Sequence, residues 1–202
     1  MQTPPPHRKR VRHFDDVGEF HELTFSCFHQ LPLLTDEKLL VEVSRAIDRA
    51  AQRHHWRLSA FVFMPEHVHL IVYPTKSPAP VADLLFAIKR PFSYRAKLYF
   101  KENRSDWLEK LMVRQRPGVQ TFRFWQEGPG YDRNLRSEKA LRAVIDYLHL
   151  NPVRRGLVDR DVDYRWSSAA WYQSDGRIVD LLLPTLSSPP ADFFAGRSDF
   201  TS

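Results

Sequence analysis

The sequence predicts an α+β sandwich of ferredoxin-like outline, an antiparallel sheet with helices packed on one face. Two features carry that expectation. Residues 60–73 (AFVFMPEHVHLIVY) hold two short apolar runs joined by Pro65-Glu66, the pattern of a β-hairpin. Around them the periodicities give the order strand–helix–strand–strand–helix–strand–helix. At 202 residues and 43% hydrophobic, the chain can bury one sizeable core, so one folded domain with extensions is expected.

Residues 1–18 are expected as a mobile basic arm, with three prolines followed by His7-Arg8-Lys9-Arg10. The folded domain is placed at residues 19–172, and residues 173–202 form a tail to which the sequence assigns no role. Residues 20–28 (FHELTFSCF) mix aromatic and β-branched types and read as the first strand. Thr35-Asp36 then opens a helix running to His54. Its apolar positions Leu39, Leu40, Val43, Ala46, Ile47 and Ala50 recur at three- and four-residue steps, a stripe that packs on a sheet.

The hairpin follows. Pro65 lacks an N–H for a ladder and suits the first corner of a tight turn. A second helix starts near Val81 with Leu84, Leu85, Ile88 and Phe92 in period, and Pro91 is expected to break or kink it. Residues 103–119 fit no element and read as an excursion. Residues 121–126 (TFRFWQ) alternate and predict a further strand, ended by Gly128-Pro129-Gly130. Ser137 caps a third helix with Leu141, Val144, Ile145 and Leu148 as its core stripe, stopped at Pro152.

Composition narrows the function classes. No apolar run reaches membrane-spanning length, and the basic N-terminus lacks the apolar segment of a secretory signal. Cys27 stands alone, which excludes an internal disulfide and a Cys-built zinc site. A cytoplasmic location is expected. The net charge is +6, yet residues 86–136 alone hold twelve Lys/Arg against five Asp/Glu. Such clustering is the footprint of a polyanion binder, whereas an ordinary solvated helix mixes its signs more evenly. Lys89, Arg90, Arg95, Lys97, Arg114, Arg116, Arg123, Arg133 and Arg136 are the candidate DNA contacts. Tyr94, Tyr99 and Phe100 lie among the cations, which suits base stacking and equally suits core packing.

Strand side chains alternate, so His67 and His69 share a face while Val68, Leu70 and Val72 fill the other. Two neighbouring imidazoles are a candidate metal-ligand pair, although two ligands alone do not make a site. On the third helix Tyr147 and Asn151 lie four residues apart, on one face beside the core stripe. Asn151 could offer a third ligand through its amide oxygen. Taken singly, each has a plainer reading: a packing tyrosine and an asparagine at a helix end.

Taken together, EHVHLIV (Glu66 onward), WQEGPGYDRNLRSEKALRAVIDYLHLNPVRRGLV (Trp125 onward) and YRWSS (Tyr164 onward) resemble the REP-associated tyrosine transposases. These are relatives of the small insertion-sequence transposases with an HUH nuclease fold, HUH being His, hydrophobic, His. The resemblance spans residues 19–171, and its most specific part is DYLHLNPVRRG from Asp146. It implies Tyr147 as nucleophile, with Tyr131 as second choice, and His67, His69 and Asn151 around Mg2+ or Mn2+. Imidazole nitrogen suits manganese better than magnesium.

The resemblance further implies nicking and rejoining of single-stranded DNA near a hairpin-forming palindromic repeat, through a 5′-phosphotyrosine link. It implies a monomer or a homodimer and a nucleoid-associated bacterial setting. Residues 101–124 are longer than in most of the family, which implies an additional DNA contact. Two rivals remain from the residues alone: a non-catalytic single-strand binding module, and a His–metal hydrolase of small molecules. Neither finds its own signature in the chain.

Overall fold

A computed structural model describes residues 19–188 apart from residues 104 and 129. The basic arm at 1–18 and the tail beyond residue 188 lie outside the described residues. The order is β1 (Phe20–Ser26), α1 (Glu37–His54), β2 (Trp56–Met64), β3 (His67–Pro74) and α2 (Val81–Glu102). There follow α3 (Trp107–Lys110), β4 (Met112–Arg116), β5 (Val119–Phe122), β6 (Tyr131–Leu135), α4 (Glu138–His149), α5 (Asn151–Arg154) and α6 (Ala169–Gln173). Strands β2-β3-β1-β6 form one antiparallel sheet, and β4 and β5 a separate pair.

The hairpin turns at Pro65-Glu66 as the sequence predicts. Asp36 caps α1 by accepting from Lys38 N–H, and Ser137 caps α4 by accepting from Ala140 N–H. Each thereby satisfies one of the donors a helix leaves unpaired at its start. On one face of the sheet Leu23, Phe25, Phe61, Phe63, Val68 and Leu70 pack under α1 and α2. A bulge between Leu58 and Ala60 puts Leu58 on that same face as Phe61.

The α+β class and the antiparallel sheet agree with expectation, but the helices do not all share one face. The α4 stripe Leu141, Val144, Ile145 and Leu148 covers Ala60, Val62, Met64, Ile71 and Tyr73 on the opposite side. The reason is legible in β2 and β3, whose residues are apolar on both faces and so need cover on both.

Three further expectations are corrected. Residues 121–126 are not one strand of the main sheet: β5 pairs with β4 in the excursion, and Trp125 makes one isolated bridge to Cys27. The fourth sheet strand is β6, YDRNL, whose polar residues hid it. It is an edge strand, where charge is an asset against stray pairing. Pro91 does not split α2, which runs continuously from Val81 to Glu102. Pro91 is exposed while Ile88, Phe92 and Ala96 are buried, so packing offsets the lost hydrogen bond. Last, the third helix ends at His149, and Pro152 sits inside the following turn α5 rather than terminating α4.

The outer edge of β2 is covered by later chain. Phe63 N–H donates to Trp166 O at 2.8 Å, Ser168 N–H to Phe61 O at 3.0 Å and Ser187 N–H to Leu58 O at 2.8 Å. The described part of the tail thus shields an edge. No helix among the described residues is long and apolar enough to cross a membrane.

Candidate active site

The register of β3 places His67 and His69 on the sheet face that α4 partly covers. Their Nε2 atoms lie 2.9 Å apart, with the rings nearly perpendicular at 88°. Each imidazole is held by its other nitrogen. Thr24 Oγ1 of β1 stands 2.6 Å from His69 Nδ1, and Glu66 Oε1 stands 3.4 Å from His67 Nδ1. A donor hydrogen on each Nδ1 leaves both Nε2 lone pairs free and pointing into one space, the arrangement by which proteins orient metal-binding histidines.

Burial keeps both rings neutral. It draws His69 down to about 3, with the neighbouring His67 adding to the effect. Burial also lowers His67, against an opposing pull from Glu66. Neutral imidazole is the form that binds metal.

The pair passes a simple test of fit for a divalent ion. Ligand nitrogens at roughly 2.1 Å from an ion and at right angles stand about 3 Å apart, which the observed 2.9 Å matches. Among the described residues no third His, Cys, Asp or Glu completes a cluster. The remaining positions would fall to neutral oxygen donors, water or a substrate phosphate.

Asn151 is held through its amide nitrogen. Its amide nitrogen donates to Tyr147 O at 3.1 Å and Leu148 O at 3.3 Å. It adds a side-chain donor to two carbonyls at the end of α4. No hydrogen bond joins it to either imidazole. The late helix and the hairpin do meet one residue set further on: Arg155 Nη1 lies 2.9 Å from Glu66 Oε1, the carboxylate that also braces His67.

Tyr147 and Tyr131 both line a cleft of about 520 Å³ with His69, Thr24, Glu22 and Arg133. Tyr131 reaches it through the sheet, because β1 pairs Thr24 with His69 on one side and with Tyr131 on the other. Tyr147 reaches it from α4 above, half exposed, with the Arg154 guanidinium 4.6 Å over its ring.

The basic residues do not form one groove. Lys89, Arg90 and Arg123 share a cleft between α2 and the excursion, whereas Arg133 lies in the histidine cleft and pairs with Glu22 at 2.7 Å. Arg95 is paired with Glu42 at 3.3 Å and Arg136 with Glu19 at 3.3 Å. Lys97, Arg114 and Arg116 are exposed on α2 and β4.

No family model matches the chain. A candidate REP-associated tyrosine transposase of Haemophilus influenzae is 24% identical over 130 residues, 63% of this chain and 66% of that protein, so the match spans just under two thirds of the relative. A solved structure of a REP-associated tyrosine transposase bound to a REP hairpin superposes with a TM-score of 0.63. That match has 20% identity over 85% of this chain and 89% of that one. The chain resembles the REP-associated tyrosine transposases. A structure of a candidate transposase from Deinococcus radiodurans matches at 18% identity over 71% of this chain and 94% of that one, with a TM-score of 0.41.

Thr24 and Arg155 are site residues that sequence reasoning did not single out. Thr24 depends on the pairing of β1 with β3 and leaves no local signal. Glu66, directly before the His pair, reads from the sequence as a partner behind the histidines or a turn residue, with the turn preferred, and its double contact depends on Arg155 from a distant turn.

Proposed function

We propose that this chain is an HUH-type tyrosine transposase, a metal-dependent single-strand DNA endonuclease and ligase acting on hairpin-forming palindromic repeats. The observation that carries the reading is that His69, whose Nε2 converges on that of His67, borders one cleft with Tyr147 in a single chain. The relatives' names and the shared fold support it.

His67 and His69 would hold Mg2+ or Mn2+. Asn151 could join through its amide oxygen, its amide nitrogen being the atom bonded to Tyr147 O and Leu148 O. When bound, the ion supplies Lewis-acid polarisation of the scissile phosphate and offsets charge on the departing oxygen. The chain's own residues do the rest. Thr24 and Glu66 fix the imidazoles, and Arg155 ties the turn after α4 to the hairpin tip. Arg133 contributes positive charge to the cleft, where a phosphate would compete with Glu22 for it.

Tyr147 Oη attacks the phosphorus in line. The new O–P bond forms as the P–O3′ bond breaks, and the tyrosine proton passes to solvent. The leaving 3′ oxygen takes up a proton to become a hydroxyl. One phosphodiester is exchanged for another, so a second 3′ hydroxyl can attack the phosphotyrosine and rejoin DNA without a nucleotide cofactor. Because Tyr147 and His69 border the same cleft in one chain, the phenol is assigned to its own histidines.

The test is incubation with a hairpin-bearing single strand and Mn2+. A protein–DNA adduct that survives denaturation is expected, absent in Tyr147→Phe and retained in Tyr131→Phe. Binding with no adduct in any condition would favour the non-catalytic module instead.

A further inference from the structure

A second cleft, of about 600 Å³, lies between α2 and the β4–β5 excursion, on the sheet face away from the histidines. Its volume is in the ordinary range for small-ligand sites. Phe86 on α2 is 60% exposed, and no buried contact accounts for so large an apolar ring in solvent. The Arg90 guanidinium lies 5.3 Å from the centre of that ring. Lys89 sends its Nζ inward, 5.2 Å over the Phe25 ring and 3.2 Å from Gly128 O.

Neither Lys89 nor Arg90 has a carboxylate partner among the described residues. Burial draws the Lys89 amine down to about 8, the mark of a cation kept where water solvates it poorly. Arg123 at the rim is already paired with Glu127 at 2.6 Å. Trp125 borders the same cleft, and its buried indole Nε1 has no hydrogen-bond partner among the described residues. Unpaired cations, a spare donor and an exposed aromatic ring together match a group that is both anionic and flat.

We propose that this cleft binds one unpaired nucleotide of single-stranded DNA, with its base stacked against Phe86 and its phosphate on Lys89 and Arg90. Stacking on an aromatic platform beside cations is how proteins hold unpaired bases. The proposal rests on the single-strand DNA reading above and adds a site to it. Gly128 and Gly130 lie at the two clefts: Gly128 O meets Lys89, and Gly130 packs on the backbone of Thr24, the His69 partner. A strand seated here can continue past the β6 edge to the histidines.

The test measures binding of fluorescein-labelled dT10 and of a ten-residue abasic strand of equal charge. The wild type is expected to bind dT10 roughly tenfold more tightly, and Phe86→Ala to remove most of that difference. Arg90→Gln is expected to weaken both strands and lower the salt slope by about one. Equal binding of the two strands, no binding of either, unchanged discrimination in Phe86→Ala, or tighter binding of rU10 than dT10 would overturn the proposal. The adduct assay separates this from the nuclease reading. Base discrimination without any adduct sinks the nuclease reading alone, and an adduct without discrimination sinks this site alone.

Discussion

Thr24 Oγ1 stands 2.6 Å from Nδ1 of His69, so a hydroxyl on the first strand fixes the ring that the third strand presents. With Nδ1 donating to that hydroxyl, Nε2 is left as the lone-pair nitrogen. Thr24→Val keeps the shape and removes the acceptor. We expect it to weaken Mn2+ binding roughly 10- to 100-fold, as loss of such braces does elsewhere. Calorimetric titration reads this directly, and an unchanged affinity would show that the hydroxyl does not orient the ring.

Arg155 and Glu66 join the turn after α4 to the hairpin tip at 2.9 Å, with the guanidinium more than half exposed. With the guanidinium in solvent the pair contributes only about 1 kcal/mol to folding, and the Glu66 carboxylate keeps His67 as a neighbour when Arg155 is removed. Arg155→Met should therefore leave the melting temperature nearly unchanged while slowing single-turnover adduct formation roughly tenfold, because misplacement by about 1 Å costs rate rather than stability. Equal losses in both measurements would mean that the pair is only structural.

Gly130 has φ +79°, and a Cβ built there would stand 2.3 Å from Thr24 O. Both facts require glycine. Gly130→Ala should destabilise the fold by about 1–3 kcal/mol and displace the backbone beneath the His69 brace. Urea denaturation checks the first effect. A wild-type midpoint would contradict the close approach.

His149 is buried, with Nε2 2.7 Å from Ser168 Oγ, and burial lowers its pKa to about 4. An unfolded histidine titrates near 6.5. Its contribution is therefore whole above about pH 6.5 and is lost as pH falls towards 4, where the unfolded chain binds the proton first. That loss is on the order of 3 kcal/mol. In His149→Gln the fall in stability over this window should shrink without vanishing, since His69 is depressed in the same direction. Identical pH profiles for the two proteins would refute the assignment.

The hairpin, the caps at Asp36 and Ser137 and the stripes of α1 and α4 were legible because local periodicity and turn chemistry determine them. The strand β6 was not, because Asp132, Arg133 and Asn134 have the composition of a loop. Only pairing with β1 makes them a strand. The site divided likewise. His67 and His69 announce themselves by alternation, but Thr24 enters through strand register and Arg155 through a contact 89 positions from Glu66. Spacing placed Tyr147 and Asn151 on one helix face. It could not foresee that the Asn151 amide nitrogen is bonded to the carbonyls at the end of α4.

The most direct test of the account is to trap the covalent complex with hairpin DNA and Mn2+, digest it with trypsin and locate the attached nucleotide by mass spectrometry. Cleavage after Arg142 and Arg154 isolates Tyr147 from every other tyrosine, and cleavage after Arg123 and Arg133 isolates Tyr131. The account predicts the nucleotide on residues 143–154. Its presence on residues 124–133, or on neither peptide, would contradict it.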